Sequence, residues 1–565
     1  MPSPRPSSQP LPRFWVLGFC AISALAYLWL FNYSEPINNP NENVRVYMVR
    51  ALAEHHTYEI ARRGPTGDHG PVYDQWGYVN DKALVCDDPH GKAPDCAGKL
   101  YAAKAPGMGF LGVLPHLAHL KFRHAMHWPE PSKAAVIWWL RFSCVILPTL
   151  IALLWLARHL VQRLDRPRIG LAVTLAAALG SLSLTYGQVF AGHQTSGLAL
   201  LLCFAAIVRA GPSGHPLAVA LAGFGAAAAA CIEFPAGPPG ALLLGWLLLR
   251  RRCAKDLLWL ALGAALPTGL LAHFDTVAFG APWHLPYSHL ENPSFVQDIA
   301  PGIFGISLPN KEKTLGSLFS PYTGLYFFAP WVALAWLGFL GMRGARAVQG
   351  AASFWLDRRA EALFAFLVCL YFLYFQCSHS LWRGGWVVGP RYITAMVPFA
   401  AIAAAHGIDA LPSLPRRITA WLLAISGAVA IVVTGLASAV SQGFPIGVHN
   451  PLNEVIGPLL SLGWVARNPL MDLKVPGVWS ALPYFAALAA GALWMAVLLA
   501  AEAPLSGWKR FVGPGLLLLF AAVAVAGLWR IQGPRPQSVR DECIDFLTST
   551  WTPPHPPGAK LRSKP

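Results

Sequence analysis

Two kinds of side chain stand out against a very apolar background: carboxylates that can take up a proton, and cations that can hold a phosphate. Glu42, Asp74 and Asp81 lie in the polar stretch that follows the first apolar segment. A carboxylate within hydrogen-bond reach of a hydroxyl can act as a general base, and these three are the candidates. Arg45 in NENVR, Lys104 in YAAKAPG, and Arg391 with Tyr392 in WVVGPRY are donors suited to phosphate oxygens, because hydrogen bonds between charged partners are the strong ones. Each has a plainer role open to it. Asn41 after Pro40 can cap a helix whose first turn holds Glu42, so Glu42 could simply stabilise that helix and pair with Arg45. Lys104 could be a side chain snorkelling at a membrane boundary.

A second group sits where apolar spans end. His193 closes TYGQVFAGH and Glu233 lies in CIEFPAGPPG; ionisable residues at such depth are rare and often functional. Tyr287 belongs to the loop FGAPWHLPYSHLENPSF, whose Gly, Pro and aromatic content reads as ordered structure. Trp382, Arg383 and Trp386 come from SHSLWRGGWVVGPRY. An interfacial aromatic belt explains the tryptophans, but not two arginines beside them, and flat Trp faces also suit sugar rings. This set is read as a substrate pocket. Cys86 and Cys96 bracket VCDDPHGKAPDC and would pair in an oxidising compartment. Their spacing fits no zinc pattern. No metal cage or cofactor motif is evident, and neither is expected.

The elements that must position these groups are membrane helices. Hydrophobic residues make up 55% of the 565 residues and charged ones only 12%, about half the usual charged share. A bilayer core needs about 20 apolar residues per helix, and such stretches recur near 14–31, 134–157, 169–187, 194–210, 215–232, 236–250, 256–275, 321–342, 360–377, 390–407, 416–440, 481–502 and 509–529. Inside lipid the backbone must satisfy itself, so these segments read as helices. The fold class is an all-α polytopic membrane protein with about thirteen transmembrane helices and juxtamembrane helices on one face. The first span follows Arg5 and Arg13 as a signal peptide would, but no small-residue cleavage site follows it, so it reads as retained.

The formal charge of +16 would suggest nucleic acid in a soluble chain, yet the basic residues cluster in loops. Arg158, Arg163, Arg166 and Arg168 fill one connection, and Arg250, Arg251, Arg252 and Lys255 another. Arg343, Arg346, Arg358 and Arg359, then Arg416 and Arg417, then Lys509 and Arg510, fill three more. With the N-terminus inside, all five fall on the cytoplasmic side. That parity requires residues 104–122, with their two prolines and two histidines, to lie in the outer interface rather than cross. The chain then divides into an N-terminal helix (1–31), a first outer loop (32–133), a helical core (134–529) with outer loops 276–320 and 441–480, and a Pro-rich tail (530–565).

In this order, NENVR, YAAKAPG, TYGQVFAGH, FGAPWHLPY with LFSPYTGLYFFAP, and WRGGWVVGPRY resemble the GT-C superfamily of polyprenyl-phosphate-dependent glycosyltransferases. The likeness runs from the first span to about residue 410 and is nearest to bacterial relatives of protein mannosyltransferases and lipid A aminoarabinose transferases. It implies a multi-pass protein of the bacterial inner membrane, with its site facing the periplasm or exterior. It also implies a polyprenyl-phosphate sugar as donor and a glycan, lipid or protein as acceptor. The family's carboxylate would be Glu42 here, where relatives carry Asp, and its phosphate-binding Lys would be Lys104, preceded by Ala103 where relatives often carry Asp. Asp81 and Asp74 remain open as the base. Two other classes stay in view. A transporter or flippase of a lipid-linked glycan would place its polar groups at mid-membrane, and a non-catalytic assembly protein would use these motifs for packing.

Overall fold

The computed structural model describes residues 11–545 apart from 12–13, 34–38, 212–214, 252, 343–357, 446, 503–508, 534–540 and 542–543. Arg5, Arg13, Arg252, Arg343, Arg346 and the end of the Pro-rich tail lie outside the described residues, as do the side chains of Lys509 and Arg510.

The chain is a polytopic helical membrane protein. Eight helices are long and apolar enough to cross a bilayer: Lys133–Arg163, Gly192–Ala210, Lys255–Phe279, Arg358–Ser378, Arg391–Ala410, Ser413–Val440, Gly477–Ala500 and Val512–Trp529. Trp15–Leu28, Pro167–Leu179, Pro216–Ile232 and Pro330–Gly341 are shorter apolar helices, and Gly237–Arg251 has 15 residues. Every one of the thirteen expected spans therefore falls on helix, eight of them at full spanning length.

Two expected spans are broken. The one near 321–342 is interrupted at Ala329 and continues as a 3-10 helix over Pro330–Leu337. The segment near 169–187 stops being helical at Gly180, where a Cβ would lie 2.9 Å from the Ile431 nitrogen. The carbonyls freed there are met from other helices: Tyr27 donates to the Ala178 oxygen at 2.9 Å and Trp331 to the Gly180 oxygen at 2.6 Å. Irregular backbone in a bundle is tolerated where neighbours satisfy it in this way.

Three helices that deliver a polar residue at one end carry basic residues at the other. Gly192–Ala210 starts beside His193 and ends beside Arg209. Arg358 opens the helix that leads to His379, and Arg416 and Arg417 open the helix that leads to Ser441. The basic end is tied by ion pairs, with Glu361 2.6 Å from Arg163 and Asp165 3.2 Å from Arg358. A 19-residue helix is about 28 Å long, so the two ends are chemically separate.

The segment at 32–133 holds more than the expected juxtamembrane helices. Pro40–His55 and Gly107–Ala125 are helical. Their packing is close, since a Cβ on Gly109 or Gly112 would collide with Met48 or Val49. Leu111, Leu114 and Phe122 are exposed on the second helix, as suits one lying in an interface. Between the two helices sits a four-stranded sheet the sequence did not announce: β1 (Ala61–Gly64), β2 (Gly67–His69), β3 (Lys82–Cys86) and β4 (Gly98–Ala102), in the order β2-β1-β4-β3. All pairs are antiparallel. A disulfide joins Cys86 to Cys96 at the closed end of the β3–β4 pair.

Candidate functional site

The sheet sets up the site. Lys82 pairs with Ala102 at the open end of the β3–β4 ladder, so the residues just outside it, Asp81 and Lys104, come together although 23 positions apart. The Ala103 nitrogen donates to the Asp81 carbonyl at 2.9 Å, and the Lys104 ammonium lies 3.3 Å from the Asp81 carboxylate. Asp81 has φ +62, a left-handed conformation that Asp tolerates better than most residues. Below it, buried Lys82 reaches Asp68 at 2.5 Å and stands 3.7 Å from Glu291; Arg63 bonds both Asp68 and Glu291. Burial alone would raise the Asp68 carboxyl, but hydrogen bonds from Arg63 and Lys82 outweigh it and hold it down at about 2. This cluster clamps the 276–320 loop to the sheet, helped by the Glu291 nitrogen donating to the Lys82 carbonyl at 3.0 Å.

Asp81 and Lys104 face a cavity of about 840 Å³ at the polar end of the bundle. His193, Glu233, Tyr287, Trp386, Arg391 and Tyr392 also line it, so eight of the thirteen expected catalytic, phosphate-binding and pocket residues meet there. Arg45 stands directly behind, 2.5 Å from Glu233, and the His193 Nδ1 is 3.7 Å from the same carboxylate. Gly192 permits this approach, since a Cβ there would sit 2.3 Å from the Glu233 carboxylate. Consecutive left-handed glycines, Gly384 (φ +73) and Gly385 (φ +74), turn the chain so that Trp386 and Arg391 reach the cavity, a turn that side chains would strain.

Tyr392 is held between two imidazoles, its ring 5.6 Å from His193 and 5.3 Å from His379. Arg391 donates to the Tyr392 hydroxyl at 3.3 Å. Among the described residues no carboxylate lies within ion-pair distance of Arg391, and its Nε is buried without a hydrogen bond. His379 just beyond its helix also lines the cavity; burial, reinforced by Arg391 and Lys313, pushes it down to about 4, so it is neutral at pH 7.

Other expected residues fall elsewhere. Glu42 does not face the cavity. It is fully buried, and Arg141 grips it with two hydrogen bonds of 2.7 and 2.6 Å while the Phe190 nitrogen adds a third at 2.7 Å. Three protein donors hold its carboxylate, and it is not among the residues that line the cavity. Nor does it pair with Arg45, whose fork turns to Glu233 and Asn41. Asp74 is 58% exposed beside His69. Trp382 is buried against Gly316, and Arg383 is half exposed with Glu312 at 3.7 Å. Sequence reasoning passed over His379, although it lies inside the quoted SHSLWRGG stretch. Asn80, Gln442 and Trp464, which line the cavity too, carry no local signal; only the fold brings them in.

Fold and site together define a multi-pass helical membrane protein with a cation-bearing cavity at one end of its bundle. No family model matches the sequence, and no curated protein matches it. Among solved structures it is similar to ArnT from Cupriavidus metallidurans bound to undecaprenyl phosphate, at 14% identity and a TM-score of 0.43, covering 96% of this chain and 78% of that one. The apo state of the same protein gives 14%, 0.43, 90% and 77%. The arabinosyltransferase EmbB from Mycobacterium smegmatis gives 14% and 0.37, with 95% of this chain against 42% of that one.

Proposed function

We propose that the chain is a membrane glycosyltransferase that moves a sugar from a polyprenyl-phosphate-linked donor to an acceptor at the outer face of the bacterial inner membrane. One observation carries this reading: Arg391 lines the cavity with no acidic partner among the described residues. A charge taken out of water is normally paired, so this guanidinium calls for an anion supplied by the ligand. The other cavity charges already balance, Lys104 against Asp81 and Arg45 against Glu233. A single net positive charge suits a phosphodiester, which carries one negative charge, better than a diphosphate or nucleotide. Basic residues at the opposite helix ends support an outer-facing site.

In the reaction an acceptor oxygen attacks the anomeric carbon, the bond from that carbon to the phosphate oxygen breaks, and the phosphate leaves with the electron pair. Arg391, Tyr392 and Lys104 hold the departing phosphate as its charge grows. Asp81 takes the acceptor proton. Its carboxylate is 12% exposed and has Lys104 as its ion-pair partner, so oxygen lone pairs remain for an acceptor. The displacement is a single inverting step that asks for neither metal nor cofactor, and the sugar transferred is a hexose or pentose.

The test is binding of undecaprenyl phosphate to the full chain in nanodiscs. The wild type is expected to bind saturably, and Arg391→Ala to weaken binding at least about tenfold, since a hydrogen bond to a charged group contributes about 1.5–3 kcal/mol. Equal binding by both proteins would remove the phosphate site.

A further inference from the structure

The cavity has a second wall whose chemistry differs from the cationic one. It is built from the strand-like run after the first helix, the turn before β3, and the 441–480 loop. The first and last of these are stitched together: the Phe31 nitrogen donates to the Arg467 carbonyl at 2.8 Å, Asn32 donates to the Ser438 carbonyl at 2.5 Å, and Gln442 donates to the Asn32 carbonyl. To the cavity lining these segments contribute the amides Asn80 and Gln442 and the rings of Phe31, Tyr33 and Trp464. Phe31 and Tyr33 stack with their rings 5.6 Å apart and 5° from parallel, and the Arg141 guanidinium lies 5.1 Å from the Phe31 ring, so Tyr33 and Trp464 are the aromatic surfaces left to the cavity. The charged side chains here are paired: Arg467 is half exposed and stands 3.6 Å from Asp472, and Asp81 in the turn stands 3.3 Å from Lys104.

Two amide oxygens here, Asn80 Oδ1 and Gln442 Oε1, are buried without a hydrogen-bond partner. Buried acceptors left unmet are uncommon in folded proteins and need an explanation. An amide offers an acceptor and two donors on one rigid plane, which matches neighbouring hydroxyls on a sugar ring. The apolar C–H face of such a ring packs on an aromatic plane. A phosphate would find no free cation on this wall, and a basic peptide would find no free carboxylate there among the described residues. Asn80 adjoins Asp81, so a hydroxyl held by Asn80 is delivered next to the carboxylate assigned as base.

We infer that this wall is an acceptor subsite for a neutral saccharide, and that the acceptor atom is a sugar hydroxyl. This rests on the glycosyltransferase reading. The experiment is saturation-transfer NMR on the full chain in nanodiscs, using maltotriose, cellotriose and chitotriose beside glucose 1-phosphate and a lysine-rich peptide. At least one neutral trisaccharide is expected to give transfer. Asn80→Ala and Gln442→Ala are each expected to weaken it about threefold to tenfold, the range for one lost hydrogen bond. Undecaprenyl phosphate binding, measured in parallel, should be retained in both variants, which also certifies their folding. Silence from all three neutral sugars, signals from the phosphorylated sugar or the peptide alone, or saccharide binding unchanged in both variants would overturn the subsite. Absence of undecaprenyl phosphate binding in the wild type would instead strike the glycosyltransferase reading, and would leave the saccharide result to stand by itself.

Discussion

Two carboxylate–cation pairs that involve the segment at 32–133 use the same chemistry for opposite ends. Glu42 and Arg141 are 0% and 2% exposed and saturate each other, Arg141 also donating to the Asn32 carbonyl at 2.6 Å. Asp81 and Lys104 are 12% and 19% exposed, meet at 3.3 Å and face a cavity. The sealed pair ties three segments of the cavity wall together: the run at 31–33, the helix Pro40–His55 and the turn before Gly192. The open pair keeps lone pairs and protons for a ligand. An acidic residue at the head of the first outer helix is thus no guide to its role; whether its oxygens are already spent decides that.

Substitutions at the two pairs separate these roles. Asp81→Asn should lower sugar transfer by about 100- to 10,000-fold, the usual range for a lost general base. Its thermal midpoint should stay near wild type, because a partly exposed ion pair contributes only about 0–1 kcal/mol. Transfer is read as label moved from polyprenyl-phosphate-linked sugars in membranes carrying the chain. Near-normal transfer by Asp81→Asn would erase the contrast.

Glu42→Gln should do the reverse. Removing one partner of a buried pair leaves an uncompensated charge, at about 3–5 kcal/mol, so this variant should show a lowered thermal midpoint and poor yield. Whatever protein folds should transfer sugar at a rate closer to wild type than Asp81→Asn does. A stable but inactive Glu42→Gln would restore Glu42 as the base.

The smallest expected effect concerns the clamp beneath Asp81. Asp68 sits at about 2 against 3.8 for the free side chain. A depressed carboxyl contributes stability above its unfolded value, and that contribution is lost as pH falls through the folded one. The Asp68 contribution is therefore constant from pH 8 to about 5 and declines between about pH 4 and 2. Tryptophan-fluorescence melting at pH 7, 4 and 3 should show a shallower acid decline in Asp68→Asn than in wild type. Parallel declines would place the clamp's strength elsewhere.

How much of this was legible in the sequence follows from the range of the contacts. Spanning helices are written in local runs of apolar residues, so all thirteen segments fall on helix. The break at Gly180 was not legible, since it depends on Ile431, Tyr27 and Trp331 from distant helices. The sheet was hidden because its strands are three to five residues long and lack the alternation that marks a half-buried strand. Without the sheet, nothing in the sequence joins Asp81 to Lys104. The burial of Glu42 was not legible for the same reason: its partner Arg141 is 99 residues away, inside a segment read only as a span. Arg391, Tyr392, His193 and Glu233, which line the cavity, could be singled out in the sequence because polar residues at the ends of apolar helices are conspicuous without any knowledge of packing.

The most direct measurement is a cryo-EM structure of the full chain in nanodiscs with undecaprenyl phosphate. The account predicts phosphate density within hydrogen-bond reach of Arg391 and Lys104, beside Tyr392, with the Asp81 carboxylate open to the cavity and Glu42 still gripped by Arg141. Phosphate density away from Arg391, or a Glu42 carboxylate released into the cavity, would contradict it.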